Sequence, residues 1–208
     1  CLILFFMKIG PKFKIAKRLG AAIFEKTQSP KFELSLARGG RKTNKRPGQA
    51  SDYKKQLTEK QKMRFTFGIT EKQLRRYVDE AMEKSNQPIA HLMDRLETRL
   101  DNVVYRLGLA KTRRFARQMT SHGHICVNGK RMNVPSYKVK VGDVVSIREG
   151  SKASGMFTML ADKHELTAVP TWLSFDIKKM AGEVKSLPIY NPTETLFDPE
   201  LVMEFYSR

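Results

Sequence analysis

The chain has 208 residues, 40% of them hydrophobic, and a formal net charge of +18 with a pI near 10. That length allows one or two domains, and that charge points to a polyanion, nucleic acid above all. Two cysteines, Cys1 and Cys126, exclude a disulfide framework and suggest a reducing, cytoplasmic setting, and no run approaches the ~18 apolar residues of a membrane span.

The opening residues Cys1–Phe6 are apolar and precede Met7. They lack the basic region, longer apolar run and small-residue cleavage site of a signal peptide. Met7 reads as the start and Cys1–Phe6 as an upstream extension; the alternative is a hydrophobic anchor to a neighbouring protein or a membrane surface. Residues 8–64 hold 17 basic and 4 acidic side chains, which concentrates the charge at this end. From Met7 to about Ala50 little periodicity shows, so residues 1–50 read as an extended basic arm. Such an arm is either a solvated tail or a segment that orders on RNA as its cations replace counterions; the charge density favours the second.

Ser51 or Asp52 can cap a helix running to about Phe65, with Gly68 ending it. Thr70 to Gln73 spells a capping box. The next helix carries Leu74, Tyr77, Val78, Ala81 and Met82 as one apolar stripe, read as core. A third short helix starts near Ile89.

The central stretch Arg95–Ile147 organises the rest. Leu96, Leu100, Val103, Val104 and Leu107 recur at helical spacing, with Gly108 at the helix end. Thr112 can cap a second helix whose apolar face is Phe115, Ala116 and Met119. Arg113, Arg114 and Arg117 lie on its other side, extended by Gln118 and Ser121. Ile125 and Val127 then alternate as a strand, Asn128-Gly129 is a tight-turn signal, and Val144, Val145 and Ile147 form a further strand. Arginines grouped near a helix N-terminus suit phosphate, which supports an RNA-binding surface; the bland alternative is a solvated basic face. His122, His124 and Cys126 could share a strand face, but no fourth ligand is evident, so no metal is expected.

After Glu149 the chain is Gly- and Ser-containing. Residues 156–168 can form a short helix, Pro170–Phe175 reads as a strand, and Trp172 as a core anchor. Asp198-Pro199-Glu200 starts a last helix with Leu201, Val202 and Phe205 on its apolar face.

The strings RLDNVVYRLG, the Thr-Arg-Arg helix, SHGHICVNGKRMNVPSY and VGDVVSIRE occur in order. They resemble the small RNA-binding module named after the fourth protein of the small ribosomal subunit. That module also occurs in RNA-modifying enzymes and a tRNA synthetase, so the flanks decide. Gly10-Pro11-Lys12, Arg46-Pro47-Gly48-Gln49, Ser51-Asp52-Tyr53, Gln56-Leu57, Glu59-Lys60-Gln61-Lys62 and Phe67-Gly68 are similar to the bacterial fourth small-subunit protein family, over Met7 to Arg208. Many members carry a four-cysteine zinc site; no cysteine lies between Cys1 and Cys126, so the chain resembles the zinc-free branch.

The resemblance implies an α+β fold. The basic arm, 1–50, is followed by a helical domain at 51–90 that residues 171–208 return to complete, with the RNA-binding module, two helices plus a small antiparallel sheet, inserted at 91–170. It implies a structural, non-enzymatic protein that binds the 5′ domain of small-subunit rRNA early in assembly. The fifth and third small-subunit proteins would be neighbours, messenger RNA would pass near the channel by which it enters, and the contact with the fifth protein would influence decoding accuracy. No cofactor, membrane or small-molecule substrate is expected. The expected RNA contacts in the module are Arg95, Arg99, Arg106, Lys111, Arg113, Arg114, Arg117, Gln118, Ser121 and His122, with Asn128, Gly129 and Lys130 at the hairpin tip. In the N-terminal region they are Lys12, Lys14, Arg18, Arg38, Arg41, Lys42, Lys45 and Arg46. Two other functions compete. An enzyme using the module as an RNA-docking accessory needs a catalytic domain, and no Gly-rich phosphate loop or catalytic triad spacing is present. A DNA-binding or RNA-chaperone protein would bind duplexes regardless of junction structure.

Overall fold

The computed structural model describes residues 9–38, 51–158, 169–177, 179–192 and 195–207. The chain divides into two compact units, one formed by Cys1–Ile89 with Asn191–Arg208 and the other by Ala90–Tyr190. In the first unit, α1 (Lys12–Leu19) ends at Gly20, whose φ of 68° closes the helix in the left-handed conformation. A 3-10 turn at Glu25–Thr27 leads to α2 (Pro30–Arg38). Ile15, Ala16, Leu19, Ile23, Phe24 and Phe32 bury together as a small core. The region expected to be an extended arm is thus helical over most of its described length. Its apolar residues number few among many lysines, but Ile15, Ala16 and Leu19 share one helical face and close on Phe24 and Phe32.

α3 (Asp52–Phe67) is capped by Ser51, whose hydroxyl accepts from the Lys54 N–H, and ends at Gly68. α4 (Glu71–Lys84) carries the expected capping box: the Thr70 hydroxyl accepts from Gln73 N–H, and Gln73 Oε1 accepts from Thr70 N–H. Leu74, Tyr77, Val78 and Ala81 are buried, whereas Met82 is 37% exposed and lies off the core.

The second unit is a layer of helices on one sheet. α5 (Pro88–Glu97) and α6 (Leu100–Arg106) are separate helices where the sequence suggested continuity. The break has a physical cause. Leu100 N–H donates to Tyr137 O, Asp101 N–H to Pro135 O and Val139 N–H to Thr98 O, so residues 98–101 pair with the 135–139 segment. α7 (Arg113–His122) is capped by Thr112, whose hydroxyl accepts from Phe115 N–H at 3.1 Å. β1 (Ile125–Val127) and β2 (Lys130–Met132) form a hairpin in which Asn128 and Gly129 both have positive φ, the two-residue turn that Asn-Gly favours. β3 (Val144–Ile147) pairs with β1, and the single-turn helices α8 (Glu149–Lys152) and α9 (Gly155–Thr158) follow. β4 (Leu173–Asp176) and β5 (Ala181–Val184) complete an antiparallel sheet of order β2-β1-β3-β5-β4. Its core holds Val103, Val104, Leu107, Ala116, Met119, Ile125, Val127, Val145, Ile147, Phe157 and Trp172.

The sheet corrects the expected boundary at 171. Because β5 pairs with β3, residues 173–184 belong to the inserted module, and the return to the first unit begins near Asn191. The last helix, α10 (Pro199–Tyr206), has Pro199 at its first turn and Asp198 as its cap, as the sequence suggested. It packs on α3 and α4. Phe197 meets Phe67 edge-on with ring centroids 6.1 Å apart, and Gln56 Nε2 donates to Glu204 at 2.9 Å. Of the helix expected at 156–168, α9 accounts for the first residues; 159–168 lie outside the described residues.

Candidate nucleic-acid interface

α6 and α7 lie side by side, and buried carboxylates set the arginines between them. Asp101 is buried, and its two oxygens accept from Arg99 Nε at 3.0 Å and Nη2 at 2.9 Å. The same carboxylate accepts from Arg117 Nε at 2.8 Å and Nη2 at 2.6 Å. Burial pushes the Asp101 carboxyl up, but the two guanidiniums outweigh it and hold the group below its ordinary value. Glu97 does the same for a second set. It accepts from Arg106 Nε at 3.0 Å and Nη2 at 2.8 Å, and from Asn102 Nδ2 at 2.7 Å. Burial raises the Glu97 carboxyl, and Arg106, Arg113 and Asn102 more than reverse the shift. Asn102 Oδ1 in turn accepts from Arg113 Nε at 2.8 Å, and the Arg113 guanidinium lies 4.4 Å from the centre of the Tyr105 ring.

The expected contacts therefore fall into distinct groups. Lys111, Arg114, Gln118 and His122 are exposed along α7 and its N-terminal approach, and Gly129 and Lys130 are exposed at the hairpin tip. Arg106, Arg113 and Arg117 are half-buried and held at fixed orientations by Glu97, Asn102 and Asp101. Arg95 is half-buried on α5. Arg99 lies in the interior, 1% exposed, where it braces Asp101 rather than facing solvent. The Ser121 hydroxyl donates to Arg117 O at 2.8 Å. Asn128 is committed to the fold: its amide donates to Asp143 at 2.8 Å and its oxygen accepts from Val144 N–H at 2.9 Å. In the first unit Lys14, Arg18 and Arg38 are exposed, and Lys12 sits over the Phe24 ring at 5.6 Å. Arg41, Lys42, Lys45 and Arg46 lie outside the described residues.

Sequence reasoning missed the carboxylates. Asp101 and Glu97 look like ordinary helix-surface acids; the available signal was their spacing of four residues, each just after a leucine of the apolar stripe, Leu96 and Leu100. Among the described residues no group of three or more His, Cys, Asp or Glu side chains could hold a metal ion, and no helix is long and apolar enough to cross a membrane.

A two-helix layer on an antiparallel sheet, with cations fixed along α7, defines a polyanion-binding module. Residues 98–145 match the family described as S4 domain, and residues 7–97 match the Ribosomal protein S4/S9 N-terminal domain. The chain is 42% identical over 202 residues to small ribosomal subunit protein uS4 of Chloroflexus aurantiacus, covering 96% of this chain and 98% of that protein. With uS4 of Chromobacterium violaceum it shares 43% over 204 residues, and with that of Persephonella marina 39% over 206, at the same coverage. The chain belongs to the small ribosomal subunit protein uS4 family. Membership makes it a structural, rRNA-binding protein of the small subunit in the cytoplasmic ribosome, not an enzyme.

Proposed function

We propose that the α6–α7 face and the hairpin tip dock on the 5′ domain of small-subunit rRNA, at a junction of several helices, early in assembly. The chemistry is binding alone. Lys111, Arg114, Gln118, His122 and Lys130 are the direct phosphate and sugar contacts, and Arg106, Arg113 and Arg117 are oriented guanidiniums behind them. The observation that carries this reading is the pair of buried carboxylates, which fix arginine orientation before any ligand arrives, so less side-chain entropy is lost on binding. RNA of this type is read by shape more than by base edges. The cations of the first unit, Lys12, Lys14, Arg18, Arg38, Arg41, Lys42, Lys45 and Arg46, add further phosphate contacts. The fifth and third small-subunit proteins are the expected neighbours, near the channel by which messenger RNA enters, and the contact with the fifth influences decoding accuracy.

The test is equilibrium binding to the 5′ domain RNA against a length-matched perfect duplex, across a salt series. Native chain should prefer the junction by ~10³ or more. Lys111→Ala with Arg114→Ala should flatten the salt slope by about 1.4–1.8, the loss of two phosphate contacts, while unfolding stability stays within about 0.5 kcal/mol. Equal affinity for both RNAs would sink the junction assignment in favour of a general duplex binder.

A further inference from the structure

The sheet has a second face. In register, Cys126 of β1 lies opposite Arg131 of β2 on one side and Ser146 of β3 on the other. Side chains alternate along strands, so this row turns away from the Ile125–Met132–Ile147 row, in which Ile125 and Ile147 are buried core residues and Met132 packs against them. A cavity of about 350 Å³ opens there, lined by Cys126, Gly129, Arg131, Ser146, Ile147, Arg148 and Glu149. That volume lies within the usual range of small-ligand pockets.

Its charge is unbalanced. Arg131 and Arg148 are exposed, and neither has a carboxylate partner among the described residues. Arg131 Nη2 donates to the His122 carbonyl at 3.1 Å, which aligns the guanidinium beside the end of α7. Glu149, the one acid on the rim among the described residues, is taken up by Lys152. His124, next to this cluster, is held below its ordinary pKa by burial and then by the positive charge of His122, Arg131 and Arg148. Arg106 of α6 and Arg117 of α7 are bound to carboxylates; these two, like Arg114, face solvent.

We propose that this pocket seats a phosphate of the RNA strand, extending the α7 interface around the end of that helix onto the open face of the sheet. Arg131 and Arg148 supply the guanidinium donors, the Ser146 hydroxyl a further donor, and Cys126 forms the floor. RNA rather than an acidic protein is favoured because the site is continuous with the α7 surface: Arg131 holds the backbone of His122, itself an exposed residue of that surface. The inference rests on the α7 reading, and the experiment separates the two.

The full chain with Arg131→Ala and Arg148→Ala is titrated with 5′ domain RNA across a salt series, beside Lys179→Ala/Lys185→Ala as a charge-matched control on the same module and Lys111→Ala/Arg114→Ala as the α7 arm. Two lost phosphate contacts should flatten the salt slope by about 1.4–1.8 and lower affinity at least ~10-fold at moderate salt, with the control near native. In a Cys1→Ser background, RNA should also slow iodoacetamide alkylation of Cys126, 8% exposed at the pocket floor, and the Arg131/Arg148 change should abolish that protection. If the Arg131/Arg148 chain matches the control, or Cys126 alkylates equally fast with RNA bound, the pocket proposal is overturned; the α7 reading then stands if its own arm weakens binding and falls with it if that arm does not.

Discussion

Both units gather cations around a carboxylate, and they do so to different ends. In the inserted module Asp101 and Glu97 are buried, and each fixes arginines on or beside α7. In the first unit Glu71 is 43% exposed at its side chain and ties together Lys60 and Arg64 of α3 and Tyr206 of α10. Lys60 Nζ lies 2.8 Å from it and Arg64 Nη1 3.0 Å, and the Tyr206 hydroxyl donates to it at 2.7 Å. Lys60 also stands 4.2 Å from the centre of the Phe205 ring. The first arrangement prepares a binding face; the second fastens the C-terminal helix α10 to α3 and α4 and so closes a unit built from both ends of the chain. Burial decides the energetic weight of each. A buried pair deprived of one partner leaves a desolvated charge, whereas a pair open to water is screened and contributes little.

Asp101→Asn should break the comparison most sharply. It removes the buried negative charge that Arg99 and Arg117 share, at a cost of about 3–5 kcal/mol, read as a fall in the urea midpoint. The pH dependence follows the sign of the shift. Asp101 and Glu97 titrate below their unfolded values, so their stabilisation is complete above the ordinary carboxylate pKa of about 4. It is lost as pH falls through the lower folded values, and the substituted chain should lose less stability than native over that acid range. A change under about 1 kcal/mol at neutral pH would show that Asp101 does not hold the module together.

A smaller effect is expected from Gly182→Ala in β5. A Cβ there would run into the Leu107 side chain and approach the Ser174 carbonyl to 3.0 Å. Overpacking of that kind costs about 1–3 kcal/mol. Thermal unfolding of the variant should show it, and an unchanged midpoint would mean that the Leu107 side chain turns aside at no cost.

The smallest effect belongs to Tyr206→Phe, which removes one partly exposed bond to Glu71. Burial and then the Glu71 carboxylate push the Tyr206 phenol far above its ordinary pKa, so it acts as a fixed donor. The expected cost is about 1 kcal/mol, with amide exchange rising in α10 and unchanged in β1 and β3. Equal rises in both units would contradict a clasp confined to the first.

Much of this was legible in residue order. The Thr70 capping box, the Asn128-Gly129 hairpin turn, the Thr112 cap and the α7 cation row all depend on neighbours within a few residues, where local physics dominates. The extended arm was misread because the core of α1 and α2 is assembled from Ile15, Leu19, Phe24 and Phe32, whose spacing crosses a turn. β5 was missed because Ala-Gly-Glu-Val carries almost no strand pattern; its place comes from pairing with β3 and from the space that Gly182 leaves for Leu107.

Sequence alone therefore determined the family through its ordered motifs, the polyanionic class of partner through net charge, and the capped helices and the hairpin through local propensity. Tertiary structure decided which arginines face outward and which are internal. Arg99 and Arg114 are equally basic in sequence, but Asp101, two residues on, holds Arg99 in the core, and the packing of α6 against α7 brings Arg117 to the same carboxylate while Arg114 stays exposed.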